Sequence, residues 1–154
     1  METLNRRGLY FEEFEIGRSL ATPARTVTEA DIVAFAALSG DWTAIHADRE
    51  YAASTPFGER IAHGLLVLSI ASGLAVRQGF IEDTIMAFRS VEWKFSLPVK
   101  IGDTVHVQLQ IAAKQALPRL GGGQVVFNAE VLNQRGETVQ RGIWTMLVKS
   151  LPAA

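Results

Sequence analysis

The 154-residue chain contains no cysteine, which excludes disulfides, thiolate metal ligation and a cysteine nucleophile and agrees with a reducing, cytoplasmic compartment. It also lacks a surplus of charge. With 15 Lys and Arg against 16 Asp and Glu, the formal net charge is −1, so nothing global draws the chain to nucleic acid or to an anionic membrane. The longest apolar run, residues 64–76, is broken by Ser69, Ser72 and Gly73 and falls short of the roughly 20 residues that span a bilayer. The first eight residues carry Arg6 and Arg7 with no apolar stretch behind them, so they are not read as a secretory signal. No internal repeat occurs, and the G-x-S-x-G elbow, the P-loop and the G-x-G-x-x-G fingerprint are all missing. Serine hydrolases, nucleotide hydrolases and Rossmann enzymes are therefore disfavoured.

What is present fits one ordinary globular domain over residues 1–154, 48% apolar and 20% charged, large enough to bury roughly 70% of its unfolded surface. Residues 10–17 place Phe11, Phe14 and Ile16 in an acidic segment expected to lie against the body as an arm. A first strand is expected near Ala24 to Val27, after Pro23. Thr28-Glu29-Ala30-Asp31 resembles a capping box, and Ile32, Phe35 and Ala36 follow at helical spacing, which predicts a helix from Glu29 to Leu38 ending at Gly40. Asp48 can cap a brief helix over Arg49 to Ala53.

From His63 to Arg77 apolar residues cover every side of a predicted helix, so that helix belongs inside the fold, with Gly64 and Gly73 allowing close approach to a sheet. Thr84 to Phe95, Thr104 to Ala112, Gln124 to Leu132 and Thr138 to Val148 read as strands, with Gly121-Gly122-Gly123 as a hairpin tip. One buried helix and a long antiparallel sheet make an α+β layout in which the sheet wraps the helix.

Between the first and the buried helix, Asp41 and His46 stand five residues apart in a stretch expected to be an irregular loop. A carboxylate and an imidazole beside a helix start can move protons and hold developing negative charge. Each residue alone has a plainer reading, Asp41 as a loop or cap residue and His46 as a structural histidine. A metal reading would gather Asp41, His46, Asp48 and His63, but no H-x-x-x-H ligand pair is present, and no metal is expected. Trp42 either walls a pocket or fills the core.

The run from Phe35 to Asp48, then Tyr51-Ala52, Phe57-Gly58 and Ile61-Ala62-His63-Gly64, and later Phe95-Ser96-Leu97-Pro98-Val99 and Ile101-Gly102-Asp103-Thr104, resembles the MaoC-like hydratases of the hotdog fold, in the order of that family. The (R)-specific enoyl-CoA hydratases among them carry Asp, Asn-Pro and His in the catalytic loop. Here Asp41 and His46 stand in place, with Thr43 and Ala44 where Asn-Pro is usual.

The resemblance implies a hydro-lyase that reversibly hydrates a trans-2-enoyl thioester to the (R)-3-hydroxyacyl thioester. Asp41 and His46 would act on the water, and the Gly64 amide at the start of the buried helix would hold the thioester oxygen. Thr43, His63 and Trp42 would be supporting residues, His63 as a structural partner of the loop. No cofactor is implied beyond the coenzyme A of an acyl-CoA or acyl-carrier substrate. Neither nucleic acid nor membrane is an expected partner, and a homodimer or higher homo-oligomer is expected because a lone sheet of this kind leaves an edge bare. A hotdog thioesterase, or a weakly active acyl-thioester-binding or partner subunit, are the alternatives.

Overall fold

A computed structural model describes residues 7–153; the N-terminal stretch weighed as a signal, and the two ends of the expected domain, lie partly outside them. Six strands form the sheet: β1 (Ser19–Ala21), β2 (Arg25–Thr26), β3 (Ile85–Phe95), β4 (Thr104–Leu117), β5 (Gly122–Leu132) and β6 (Thr138–Lys149). They run antiparallel in the order β1-β4-β5-β6-β3, with β2 also on β4. The helices are α1 (Glu29–Ser39), α2 (Ala44–Ala47), α3 (Arg49–Ala53) and α4 (Gly64–Arg77). None is long and apolar enough to cross a membrane.

The expected wrapping of sheet around helix is present. Alternate residues of β4 (Val105, Val107, Leu109, Ile111) and of β5 (Val125, Phe127, Ala129, Val131) are buried, as a strand's period of two requires when one face is covered. Onto them α4 turns Leu66, Val67, Ile70, Ala71, Leu74 and Ala75. Each large apolar side chain so buried contributes roughly 1.5–3 kcal/mol, which fixes the rotation of α4 and hence the direction its first turn faces. The expectation that α4 is enclosed on every side needs correction: Leu65, Ser69, Gly73 and Val76 form an exposed stripe. A side chain at Gly73 would meet nothing within 4 Å, so close approach belongs to Gly64 alone.

Local signals explain most boundaries. Thr28 caps α1 by accepting from the Asp31 amide at 3.2 Å, while the Thr28 amide donates to Asp31 Oδ2 at 2.8 Å, and Gly40 ends the helix at φ 79°. Asp48 Oδ1 accepts from the Tyr51 amide at 2.9 Å and opens α3. Pro23 does not precede a single strand but separates β1 from β2. The triplet Gly121 to Gly123 is not the hairpin tip: Pro118–Leu120 make the turn and Gly121 closes it at φ 68°. Gly122 and Gly123 already belong to β5, where a Cβ would strike Val148 O at 2.0 Å and the Phe11 ring at 2.2 Å. The N-terminal arm is part of the core, with Phe14 packed edge-on against Phe80 and Phe127.

Candidate active site

Three segments converge where α1 ends and α4 begins. After Gly40 turns the chain, Asp41 is held through its amide, its carbonyl and one carboxylate oxygen. Its amide donates to Ser39 Oγ at 3.1 Å, and its carbonyl accepts from His63 Nε2 at 2.9 Å. Its carboxylate Oδ1 accepts both the Thr43 amide at 3.2 Å and the Thr43 hydroxyl at 2.6 Å. These two Thr43 bonds, aided by the nearby imidazoles of His63 and His46 and opposed by partial burial, hold the Asp41 carboxyl below the usual carboxylate range. Asp41 is ionised at neutral pH.

The stretch read as irregular is partly helical. With Thr43 as its N-cap, α2 turns His46 inward, and the Thr43 carbonyl accepts from the His46 amide at 2.8 Å. Ala44 thus occupies the first helical position, where proline is favoured but not required. His46 Nδ1 meets the Ile61 carbonyl at 2.8 Å. A carbonyl only accepts, so Nδ1 carries the proton and the Nε2 of the neutral ring keeps its lone pair.

His63, 2% exposed, lies between the Phe35 ring (centroids 4.9 Å) and the His46 ring (3.9 Å, planes 29° apart). With Nε2 committed to Asp41, its buried Nδ1 has no partner among the described residues. One carboxylate oxygen of Asp41 and one nitrogen each of His46 and His63 lie within 4.8 Å of one another. A water making two hydrogen bonds of about 2.8 Å spans roughly 4.6 Å between its partners, a span comparable to this spread. The same spread could suggest a three-ligand cation site. Yet the two rings are stacked face to face, so their in-plane lone pairs run side by side, which is a packing relationship and not the convergence two ligands need on one ion.

His46 also lines a cavity of about 450 Å³ whose other walls include Phe57, Ile61, Leu65, Val67, Phe95, Leu97, Val99, Gln140 and Gly64. It is apolar except at one end, where α4 starts. His63 is the N-cap and supplies no side-chain cap, and among the described residues the Gly64 amide has no backbone partner either. A helix start left open in this way offers N–H groups and a favourable dipole to an anionic oxygen. A Cβ at Gly64 would lie 2.6 Å from the Phe95 ring, so any larger residue would have to displace that ring.

Of the residues singled out from sequence, Asp41, Thr43, His46 and His63 form one cluster, and Gly64 joins it through the cavity that His46 shares. Trp42 neither walls that cavity nor fills the core, being 54% exposed. Lys100 pairs with Glu59 at 3.0 Å, and Lys94 lies on the outer face of the sheet beside Arg141. Sequence reasoning missed Phe95 and Gln140, which close the cavity from the sheet, and Trp93, which bonds to Gln140. No sequence signal marks Gln140: its burial next to buried Val139, against the alternation of its strand, is visible only in the structure.

Comparison with known proteins bears on the family and the fold. Residues 12–131 match the MaoC like domain family. The chain is 48% identical over 105 residues to Protein MaoC of Klebsiella aerogenes, covering 68% of this chain but only 31% of that protein. It is 35% identical over 134 residues to the 3-hydroxybutyryl-CoA dehydratase of Methylorubrum extorquens, covering 82% and 83% of the two chains. Among solved structures, a MaoC-like dehydratase from Rhodospirillum rubrum superposes with a TM-score of 0.85 at 30% identity, covering 95% of this chain and all of that one. A Mycobacterium tuberculosis protein described as a double hotdog fold matches at TM-score 0.79 and 15% identity, over 98% of this chain and 47% of that one, which speaks to the fold alone. The chain therefore belongs to the MaoC-like dehydratase family of hotdog proteins.

Proposed function

We propose that this protein catalyses the reversible addition of water to a trans-2-enoyl thioester, most simply an enoyl-CoA, giving the (R)-3-hydroxyacyl thioester. The observation that carries this reading is the Asp41 oxygen and the His46 nitrogen within 4.8 Å, beside an apolar cavity that ends on the uncapped start of α4. In the hydration direction the water oxygen bonds to C3, one water proton passes to the Asp41 and His46 pair, and a proton is delivered to C2. Asp41, ionised and held by Thr43, orients the water. His46 shares that water through Nε2 and assists the proton delivery.

As the C3–O bond forms, electron density moves onto the thioester oxygen, where the Gly64 amide and the helix dipole receive it. A donor so placed is worth about 2.7–4 kcal/mol in the transition state. The scheme needs no resident cofactor, since coenzyme A belongs to the substrate, and a cytoplasmic setting is part of the same reading. Thr43 and Ala44 do not dismantle the site, because Thr43 itself supplies the bonds that hold Asp41.

The functional unit in this reading is a homodimer. Among the described residues strand β3 is an edge of the sheet, bonded only to β6, and it and its continuation expose Met86, Phe88, Val91, Phe95 and Leu97. Uncovered apolar edges of this kind are normally paired, and Phe95 and Leu97 also wall the cavity, so a partner at β3 would narrow its mouth.

The test is incubation of the protein with a panel of enoyl-CoAs of increasing chain length, following loss of the conjugated thioester and identifying the product. The (R)-3-hydroxyacyl-CoA is expected. Release of free thiol in place of hydration would assign a thioesterase, and saturable binding without turnover would assign an acyl-thioester-binding subunit.

A further inference from the structure

Gln140, the third residue of β6, lies on the cavity side and is 2% exposed. A buried primary amide is costly unless its donor and acceptor are both satisfied. Here Nε2 donates to the Gly64 carbonyl at 2.9 Å, and Oε1 accepts from Trp93 Nε1 at 2.8 Å. A carbonyl cannot donate and an indole N–H cannot accept, so only one orientation of the amide satisfies both. Trp93 is in turn stacked on fully buried Trp144, centroids 5.6 Å apart. The result is a chain from the core of the sheet through Trp93 and Gln140 to the first residue of α4. Gly64 needs such a hold. It has no side chain of its own, His63 does not cap the helix, and the Phe95 ring covers Gly64 from a half-exposed position.

We propose that Gln140, anchored by Trp93, is a positioning residue for the oxyanion donor: it fixes the Gly64 carbonyl and so keeps the preceding amide N–H aimed into the cavity. This inference rests on the hydratase reading of the same site. Gln140 acts through Gly64, so its loss weakens a contact that strengthens only as charge develops on the thioester oxygen. That signature is a lower kcat with little change in KM.

The test uses the full-length protein with Trp93 replaced by Phe and Gln140 by Met together. Removing both members of a buried hydrogen-bonded pair for apolar groups of similar shape is nearly neutral for folding, which avoids the orphaned indole that Gln140→Met alone would leave. The expected result is a kcat for enoyl-CoA hydration lowered about 10- to 100-fold, the range that a misplacement of about 1 Å produces, with KM little changed. In the ligand-free protein, ¹⁵N relaxation at Gly64 should show a rigid amide in the wild type and a mobile one in the variant. An active wild type whose folded variant keeps its kcat, or loses it while Gly64 stays rigid, overturns this inference alone. A wild type without turnover overturns the hydratase reading and this one together.

Discussion

The hydroxyl of Thr43 donates to Asp41 Oδ1 at 2.6 Å, and the Thr43 amide donates to the same oxygen. Hydrogen bonds to the ionised form lower a carboxyl pKa, and the Thr43 bonds are the leading cause of the downward shift at Asp41. Thr43→Val removes the side-chain bond while keeping the shape, so the Asp41 pKa should rise toward its ordinary value. The acid limb of the kcat/KM profile for hydration should then move to higher pH, and Thr43→Ser should leave it near the wild-type position. The sign follows from the ionised form being the active one: with a raised pKa, protonation removes activity sooner as pH falls. An acid limb that does not move in Thr43→Val would remove Thr43 from this role.

His63 ties the loop to α4. Its Nε2–H holds the Asp41 carbonyl at 2.9 Å and its ring fills the space between Phe35 and His46. His63→Ala should leave that carbonyl without its donor and open a cavity, lowering stability by about 1–3 kcal/mol in urea unfolding. Hydration should also slow as the Asp41 loop loosens. A variant as stable as the wild type would show that the stack carries no structural load.

Gly64→Ala places a methyl group where the Phe95 ring lies. The ring must swing outward, carrying the cavity wall with it, and kcat/KM for hydration should fall at least about 10-fold, as expected when an oxyanion donor is displaced. Phe95→Ala in the same chain relieves the overlap. The double variant should therefore be more active than Gly64→Ala alone, a coupling read from a double-mutant cycle. Strict additivity would argue that Phe95 does not set the requirement for glycine.

A charge on the exposed edge strand tests the dimer. Val91 is half-exposed on β3, and a lysine there opposes strand pairing across a two-fold. Sedimentation should find the wild type dimeric and Val91→Lys shifted toward monomer, with weaker hydration because the Phe95 and Leu97 wall loses its cover. A wild type that sediments as a monomer at micromolar concentration contradicts the dimer.

The elements with local chemistry were legible before any coordinates: the Thr28 and Asp31 box, Gly40 as a stop and Asp48 as a cap all act within four residues of where they sit. The Asp41 and His46 loop was legible through its resemblance to a family, although its helical turn at Ala44–Ala47 was not, since four residues carry no periodicity. What stayed hidden depends on distant partners. Gln140 reaches Trp93 and Gly64 across 47 and 76 residues, and no local pattern announces such pairings. Trp42 misled for the opposite reason: a large aromatic beside a catalytic loop suggests a pocket wall, yet the turn after Gly40 leaves it facing outward.

The central claim is that Asp41 and His46 act together on one water. Its most direct test is the hydration rate of a trans-2-enoyl-CoA by the wild type, Asp41→Asn, His46→Gln and the double variant, each checked for folding and for binding of a saturated acyl-CoA. Each single change should lower kcat by at least about 100-fold, within the range of general acid–base catalysis, with binding retained, and the double variant should be little worse than either. Variants that hydrate the substrate at the wild-type rate would contradict the account.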